Sequence, residues 1–414
     1  MAITYGVPGP DDFDAFLAPV NHGFGNPNPS DDDRADERML WEQPRSIGAR
    51  DGDQWVGGTG AFTMDLTLPG GVAVPAAGVT MVGVAATHRR QGILTELMRR
   101  QLDDIAGGDE PVAVLTASES LIYGRYGYGL ATRGMRVRID PRHAGFRPDV
   151  VPEVPGRFRF TTLDEARKVL PDAYERIRAA RPGTVRRWEA WWETHLFLDR
   201  PDDRDGGGSR GYLVHEDGAG QIDAWAAYRI HLSWPERLPS SVVRVDDMWT
   251  ADDRVRLALW QVLLGFDLSI EVDLVHGPLD EPLAWAVRDP RRLRVSDLSD
   301  WLWLRLLDVP AALSPRRWSA EGGLVVEVVD RFRPASGGRF AIDAGADGSG
   351  EVTRTDASAA LVMGTEELAA LALGTVSATA LARIGRVEEV VPGVLATADA
   401  LFRSDVEPYC ATMF

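Results

Sequence analysis

A chain of 414 residues is longer than one hydrophobic core usually organises, so two or three domains are expected. Its 44% hydrophobic and 26% charged residues match an ordinary soluble globular protein. The balance of 45 basic against 62 acidic residues, a formal net charge of −17, argues against a nucleic-acid-binding surface and favours cationic partners through long-range steering. The single cysteine, Cys410, excludes an internal disulfide and a cysteine-based metal site. No uncharged apolar run approaches the ~18 residues of a membrane span. The opening "MAITYGVPGPDDFDAF" lacks the basic and apolar regions of a signal peptide, so the expected location is the cytoplasm, away from membrane.

The first 150 residues read as mixed α/β. Strands are predicted at 54–68 and 78–86, around a "PGG" turn at 69–71. A helix is predicted from about 90 to 106, because Ile93, Leu94, Leu97, Met98, Leu102 and Ile105 recur close to the 3.6-residue period. Strands at 111–117 and 132–140 follow, and a proline-rich, aperiodic stretch at 141–158 reads as a linker. Beyond it come helices near 164–180 and 184–198 and an acidic, glycine-rich loop at 199–209. Strands near 211–216, 223–231 and 241–248, a helix at 252–265 and a strand at 268–274 repeat the earlier strand, helix, strand order. This second copy lacks a glycine turn between strand and helix. The last part reads as a small α+β domain, with strands at 322–332 and 337–345, in "EVTRTD" and in "AALVMG", and helices near 365–373, 376–383 and 394–402. The expected domains are 1–150, 151–290 and 291–414.

Between the strand at 78–86 and its helix lies Arg89-Arg90-Gln91-Gly92. A glycine turn at a helix N-terminus offers unpaired N–H groups and the positive end of the helix dipole, which suits phosphate or pyrophosphate. Neither GxGxxG nor GxxxxGK[ST] is present, so the Rossmann and P-loop readings fail. Arg89, Gln91, Gly92, Ile93 and Leu94 resemble the [QR]xxGx[GA] signature of the GNAT N-acetyltransferase superfamily, with Leu94 in place of the usual small residue. The resemblance implies acetyl-CoA as co-substrate. Val82, Gly83 and Val84 would pair with its pantetheine arm, and Arg90 to Thr95 would surround its pyrophosphate. Ser118 and Glu119 are assigned to the cofactor by the same likeness.

The next strand ends in "TASESLIYGRYGYG" (116–129), where Tyr123, Gly127 and Tyr128 fit the superfamily's YxxxGF/Y pattern. Acyl transfer from a thioester needs an acid for the departing thiolate, and a positioned phenol meets that need. Tyr123 is the candidate; Tyr126 and Tyr128 are its rivals.

Across the full length, "THRRQGILTELM", "ASESLIYGRYGYG" and a terminal phenylalanine resemble the Eis (enhanced intracellular survival) family. That likeness implies a catalytic GNAT domain, a degenerate second one and a sterol-carrier-protein-like third. It further implies that the Phe414 carboxylate is the proton acceptor, and that the chain forms a homohexamer. Carboxylates in "PDDFDAF" (10–16) and "PSDDDRADERMLWE" (29–42), with Trp41 among them, would then flank the acceptor cleft and suit an aminoglycoside-like polyamine or a lysine side chain.

Two features are read as structural or silent. "HLFLD" (195–199) imitates an acyltransferase HxxxD but lies beside Trp188, Trp191 and Trp192, and the seven histidines show no ligand spacing, so no metal is expected. The chain therefore reads as an acetyl-CoA-dependent N-acetyltransferase acting by direct attack in a ternary complex, with backbone N–H groups near Val82 polarising the thioester. The alternatives are a non-catalytic lipid-binding protein using the third domain, or an acetyltransferase for one protein or small metabolite.

Overall fold

The computed structural model describes residues 2–150 and 153–414. Val151 and Pro152, in the expected linker and at the expected start of the second domain, lie outside the described residues, as does Met1. The chain divides into two compact units. One holds the residues up to Thr132 together with Trp301–Asp405 and Met413–Phe414; the other holds Arg133–Asp300 and Val406–Thr412.

The first unit opens with β1 (Thr4–Gly6) and two helices, α1 (Phe13–Gly23) and α2 (Asp31–Leu40). Phe13, Phe16, Leu17 and Val20 of α1 recur at helical spacing and are buried. α2 buries nothing; its start is fixed by a capping box between Ser30 and Asp33. Then come β2 (Ile47–Asp51), β3 (Gln54–Thr67), β4 (Ala73–Val84), α3 (Ile93–Ala106) and β5 (Val112–Thr116). β2, β3 and β4 form an antiparallel meander, whereas β4 and β5 run parallel with α3 as the crossover. α3 turns Ile93, Leu97, Met98, Leu102 and Ile105 into the core, as their period requires.

The sheet has seven strands, and its far edge comes from elsewhere in the chain. The strand Leu302–Leu306 pairs antiparallel with β5, and Gly129–Leu130 pairs with it in turn. Leu302, Leu304 and Leu306 are buried, and Arg305, fully buried between them, is paired with Asp330 and donates to Thr365 Oγ1 at 2.8 Å. The same unit carries a five-stranded sheet in the order Gly350–Arg354, Gly338–Ala344, Gly322–Val329, Leu361–Gly364, Val387–Glu389, with helices Thr365–Ala372, Ala378–Arg383 and Val394–Phe402.

The second unit has its own seven-stranded sheet, in the order Leu293–Asp300, Arg133–Ile139, Ser269–Gly277, Ser241–Thr250, Ile222–His231, Gly211–Glu216, Arg157–Thr161. The strand expected at 132–140 thus pairs here and not with β5: Val137 faces Leu274 on one side and Val295 on the other. Ser241–Thr250 and Ser269–Gly277 run parallel around the helix Asp253–Leu264, the expected repeat of the β4, α3, β5 order.

Candidate active site

β4 is bent before the turn. Gly58 pairs with Gly83 but Gly60 pairs with Thr80, so β4 carries an extra residue there, and Met81 takes a left-handed φ of 54°. The parallel ladder between β4 and β5 holds only from Ala76–Val112 to Gly78–Val114. β4 continues to Val84 and β5 to Thr116 with no further pairing between them, so the edge of β4 beyond Gly78 is open to another partner.

At the end of β4, Arg90 and Gly92 both have positive φ, 64° and 82°. Gly92 is the N-cap of α3, no side chain caps the helix, and a Cβ at Gly92 would meet nothing within 4 Å. The first turn of α3 therefore has no side-chain cap at the positive end of its dipole, with Arg89 and Arg90 just before it. The second copy is built otherwise. Asp252 caps the helix Asp253–Leu264 with its own carboxylate, accepting from Arg254 N at 2.8 Å and Val255 N at 2.9 Å. That helix start is already satisfied by an anion of the chain itself.

A cleft of about 690 Å³ opens at the turn. It is lined by Val82, Gly83, Val84, Arg89, Arg90, Gly92, Ile93, Leu94, Thr95, Ser118 and Glu119, that is, by every sequence-predicted cofactor residue except Gln91. Leu94 is half-buried and packs on the core beneath, so its bulk does not close the cleft. Tyr123, Tyr126, His88 and Arg125 also line it, as do Val20, Gly23 and Phe24 at the end of α1. The contribution of α1 was not foreseen. Its mark in the sequence is Gly83, where a Cβ would stand 2.9 Å from Val20 Cα.

The tyrosines separate by environment. Tyr123 is 5% exposed, and burial pushes its phenol up to about 12 against a hydrogen bond from Ser118. Tyr126, also in the cleft wall, packs its ring 5.0 Å from that of Phe332. Tyr128 is fully buried outside the lining, and its hydroxyl has no hydrogen-bond partner among the described residues.

The chain end lies at the same strands. Thr116 Oγ1, on the last residue of β5, donates to the terminal carboxylate of Phe414 at 3.0 Å. The Phe414 ring meets Phe62 edge-on, centroids 6.5 Å apart, and reaches within 3.2 Å of where a Gly78 Cβ would be. Gly78 is the residue at which the β4–β5 ladder stops. Thr116 was not singled out from the sequence, since nothing local marks a threonine for a partner 298 residues away.

The acidic segments at 10–16 and 29–42 contribute no residue to the 690 Å³ cleft. Asp12 pairs with Arg50 at 2.8 Å and Asp14 with Arg38 at 3.2 Å, while Glu42 accepts from Thr63. Trp41 packs against Phe13 and Phe16 and donates to Ser46 Oγ at 2.9 Å. In "HLFLD", His195 stacks on Trp191, and Asp199 accepts from Arg204, the Arg210 backbone and Arg229, a structural network. Among the described residues no cluster of three or more His, Cys, Asp or Glu side chains is placed to hold a metal ion, and no helix is long and apolar enough to cross a membrane.

Comparison with known proteins gives this geometry its family. A GNAT acetyltransferase domain model matches residues 8–131, a second matches 183–306, and a sterol carrier protein domain model matches 309–411. The N-acetyltransferase Eis of Mycobacterium tuberculosis is 35% identical over 377 residues, covering 89% of this chain and 88% of its own. This chain belongs to the Eis family of N-acetyltransferases. An N-acetyltransferase of Streptomyces avermitilis, itself uncharacterised, is 38% identical over 96% of both chains. The crystal structure of Eis1 from Mycobacterium abscessus superposes with a TM-score of 0.87 at 32% identity over the whole of both chains. The protein is thus an N-acetyltransferase with two GNAT domains and a sterol-carrier-like third. The GNAT fold implies acetyl-CoA as acyl donor.

Proposed function

We propose that the enzyme transfers acetyl from acetyl-CoA to primary amines of cationic acceptors, aminoglycoside-like polyamines or lysine side chains, by direct attack in a ternary complex. Val82, Gly83 and Val84 hold the pantetheine arm along β4. Arg89, Arg90, Gln91, Gly92, Ile93, Leu94 and Thr95 surround the pyrophosphate, and Ser118 and Glu119 complete the cofactor wall. Bound acetyl-CoA supplies the thioester; the chain supplies orientation and proton transfer.

The Phe414 carboxylate receives the proton of the attacking amine. Thr116 holds one of its oxygens at 3.0 Å, which leaves the other for the amine. Tyr123 gives its proton to the departing sulfur. With its pKa near 12 it is fully protonated at neutral pH. In water the thiolate of a thiol with pKa near 8.5 would be a poor acceptor from such a phenol. Desolvation beside Tyr123 that raises the phenol would also raise the thiol, because burial disfavours both anions. The net charge of −17 draws cationic acceptors to the molecule. The acidic segments at 10–16 and 29–42 are the candidates for holding them. The reading extends to a cytoplasmic homohexamer, which sedimentation of the purified chain tests.

The observation that carries this reading is the terminal carboxylate bonded to Thr116 where β4 and β5 part. A chain ending at Met413 is expected to keep its fold and its affinity for acetyl-CoA while losing at least ~100-fold in kcat, the scale of general acid–base catalysis. Unchanged turnover would remove Phe414 from the mechanism. Acetyl-CoA turnover against aminoglycosides, polyamines and lysine peptides tests the acceptor class; no turnover with any of them overturns it.

A further inference from the structure

The second GNAT domain repeats the splay of the first. Its parallel strands Ser241–Thr250 and Ser269–Gly277 pair only as far as Val245–Leu274, and both run on unpaired with each other. In the first domain the corresponding opening has the Phe414 carboxylate on Thr116 of β5, and the edge of β4 beyond Gly78 makes no ladder with β5. In the second, the residues beyond the divergence are engaged by the chain's own segment Tyr409–Thr412, which belongs to the same compact unit.

The engagement is made from both strands. On one, the Tyr409 hydroxyl donates to the His276 carbonyl at 2.8 Å, the His276 ring bonds to the Cys410 carbonyl through Nε2 at 2.8 Å, and the two rings stack. On the other, the Trp249 ring lies 5.4 Å from that of Tyr409. Asp247 holds Arg187 in a bidentate pair at 2.9 Å, and Arg187 Nε donates to Thr412 Oγ1 at 3.0 Å. The guanidinium sits against the rings of Trp191 and Tyr174, 4.1 and 4.4 Å from their centroids. Tyr409, Cys410 and Thr412 are all buried. With Asp252 capping the helix start, both that helix start and the splay of this domain are engaged by the chain itself.

We infer that the second GNAT domain works as a clamp for the C-terminal segment, which takes the place a cofactor arm would take, and that Thr412 and Tyr409 are positioning residues for the carboxylate two residues beyond. This rests on the proposed role of Phe414. The clamp makes directional contacts to Tyr409, Cys410 and Thr412, so a chain end that would otherwise be poorly ordered is tied down to within two residues of its terminus. Fixing Thr412 removes the freedom of all but the last two residues, so the carboxylate is presented with little orientational entropy left to lose.

The test uses the full-length enzyme. Thr412→Val removes the hydroxyl shared by Arg187 and Tyr174 with little change of volume, and Tyr409→Phe removes the hydroxyl on His276. Each is expected to lower kcat about tenfold, the scale of losing one hydrogen bond in a buried network, with KM for acetyl-CoA unchanged. Thr412→Ser should restore kcat. In a chain ending at Met413, Thr412→Val should cause no further loss, because the two changes act through one group. Carboxypeptidase should release Phe414 several-fold faster from Thr412→Val than from the wild type. Wild-type kcat and wild-type release in both variants, beside an inactive Met413-terminated chain, would overturn the clamp alone. Full activity of the Met413-terminated chain would instead overturn the role of Phe414, and release rates would then decide the clamp by themselves.

Discussion

Tyr123 is buried where its phenol must stay neutral, and that fixes what it can do. Burial holds its pKa near 12, so the group is a proton donor throughout the working range and ionises only in strong alkali. The pH profile of kcat/KM should therefore show no alkaline limb from this residue below about pH 10; a limb below about pH 10 that vanishes in Tyr123→Phe would contradict the raised pKa while keeping the tyrosine as donor. The same variant should lose roughly 100-fold or more in kcat, with KM for acetyl-CoA little changed, since the ring that forms the cleft wall remains. Tyr126 shares that wall, and a Tyr126→Phe variant with the larger loss would transfer the role to it.

At the scale of elements, the two strand, turn and helix units differ in who satisfies the first helical turn. α3 starts without a side-chain cap, and Gly92 holds φ at 82° there without a side chain. Gly92→Ala should cost about 1–2 kcal/mol of backbone strain at that site, read as a KM for acetyl-CoA raised several-fold. The helix Asp253–Leu264 is the control. Asp252→Ala there should lower stability by about 1 kcal/mol in thermal unfolding and leave the KM for acetyl-CoA alone, because that cap serves only its own helix.

Across the whole molecule, buried charges and imidazoles tie stability to pH. His276 is 9% exposed and held near pKa 4 by desolvation, against an ordinary value near 6.5, while Cys410 O, Asp247 and Asp297 pull the other way. Its neutral form belongs to the folded state; the unfolded chain takes up the proton first. Stability is therefore complete above pH 6.5 and falls as the pH drops from there towards 4, by up to about 3 kcal/mol for a shift of this size. Chemical denaturation at pH 7 and pH 4.5 should show this loss, and His276→Gln, which keeps a donor for the Cys410 carbonyl, should reduce it. An equal acid loss in the variant would assign the effect to other groups.

The sequence by itself determined the features that repeat over a few residues. The apolar period of Ile93, Leu97, Met98, Leu102 and Ile105 specified α3, and the turn at Arg89–Gly92 marked a stretch that lines the cleft, Gln91 apart. The missing glycine turn of the second copy was legible too, though not the Asp252 carboxylate that replaces a ligand there. Helix α1 went unread because an acidic stretch and Pro19 mask its buried face of Phe13, Phe16, Leu17 and Val20. Tertiary structure alone decided the partners. Leu302–Leu306 joins β5 across nearly two hundred residues of chain, and Arg305 and Arg187, which no local pattern marks, are buried against Asp330 and Asp247. Thr116 reaches Phe414 across 298 residues. Turn and helix preferences are set by near neighbours along the chain, so they can be read in order. Burial of a charge, the pairing of a distant strand and the seat of the last carboxylate depend on what the fold brings near, and no local pattern encodes that.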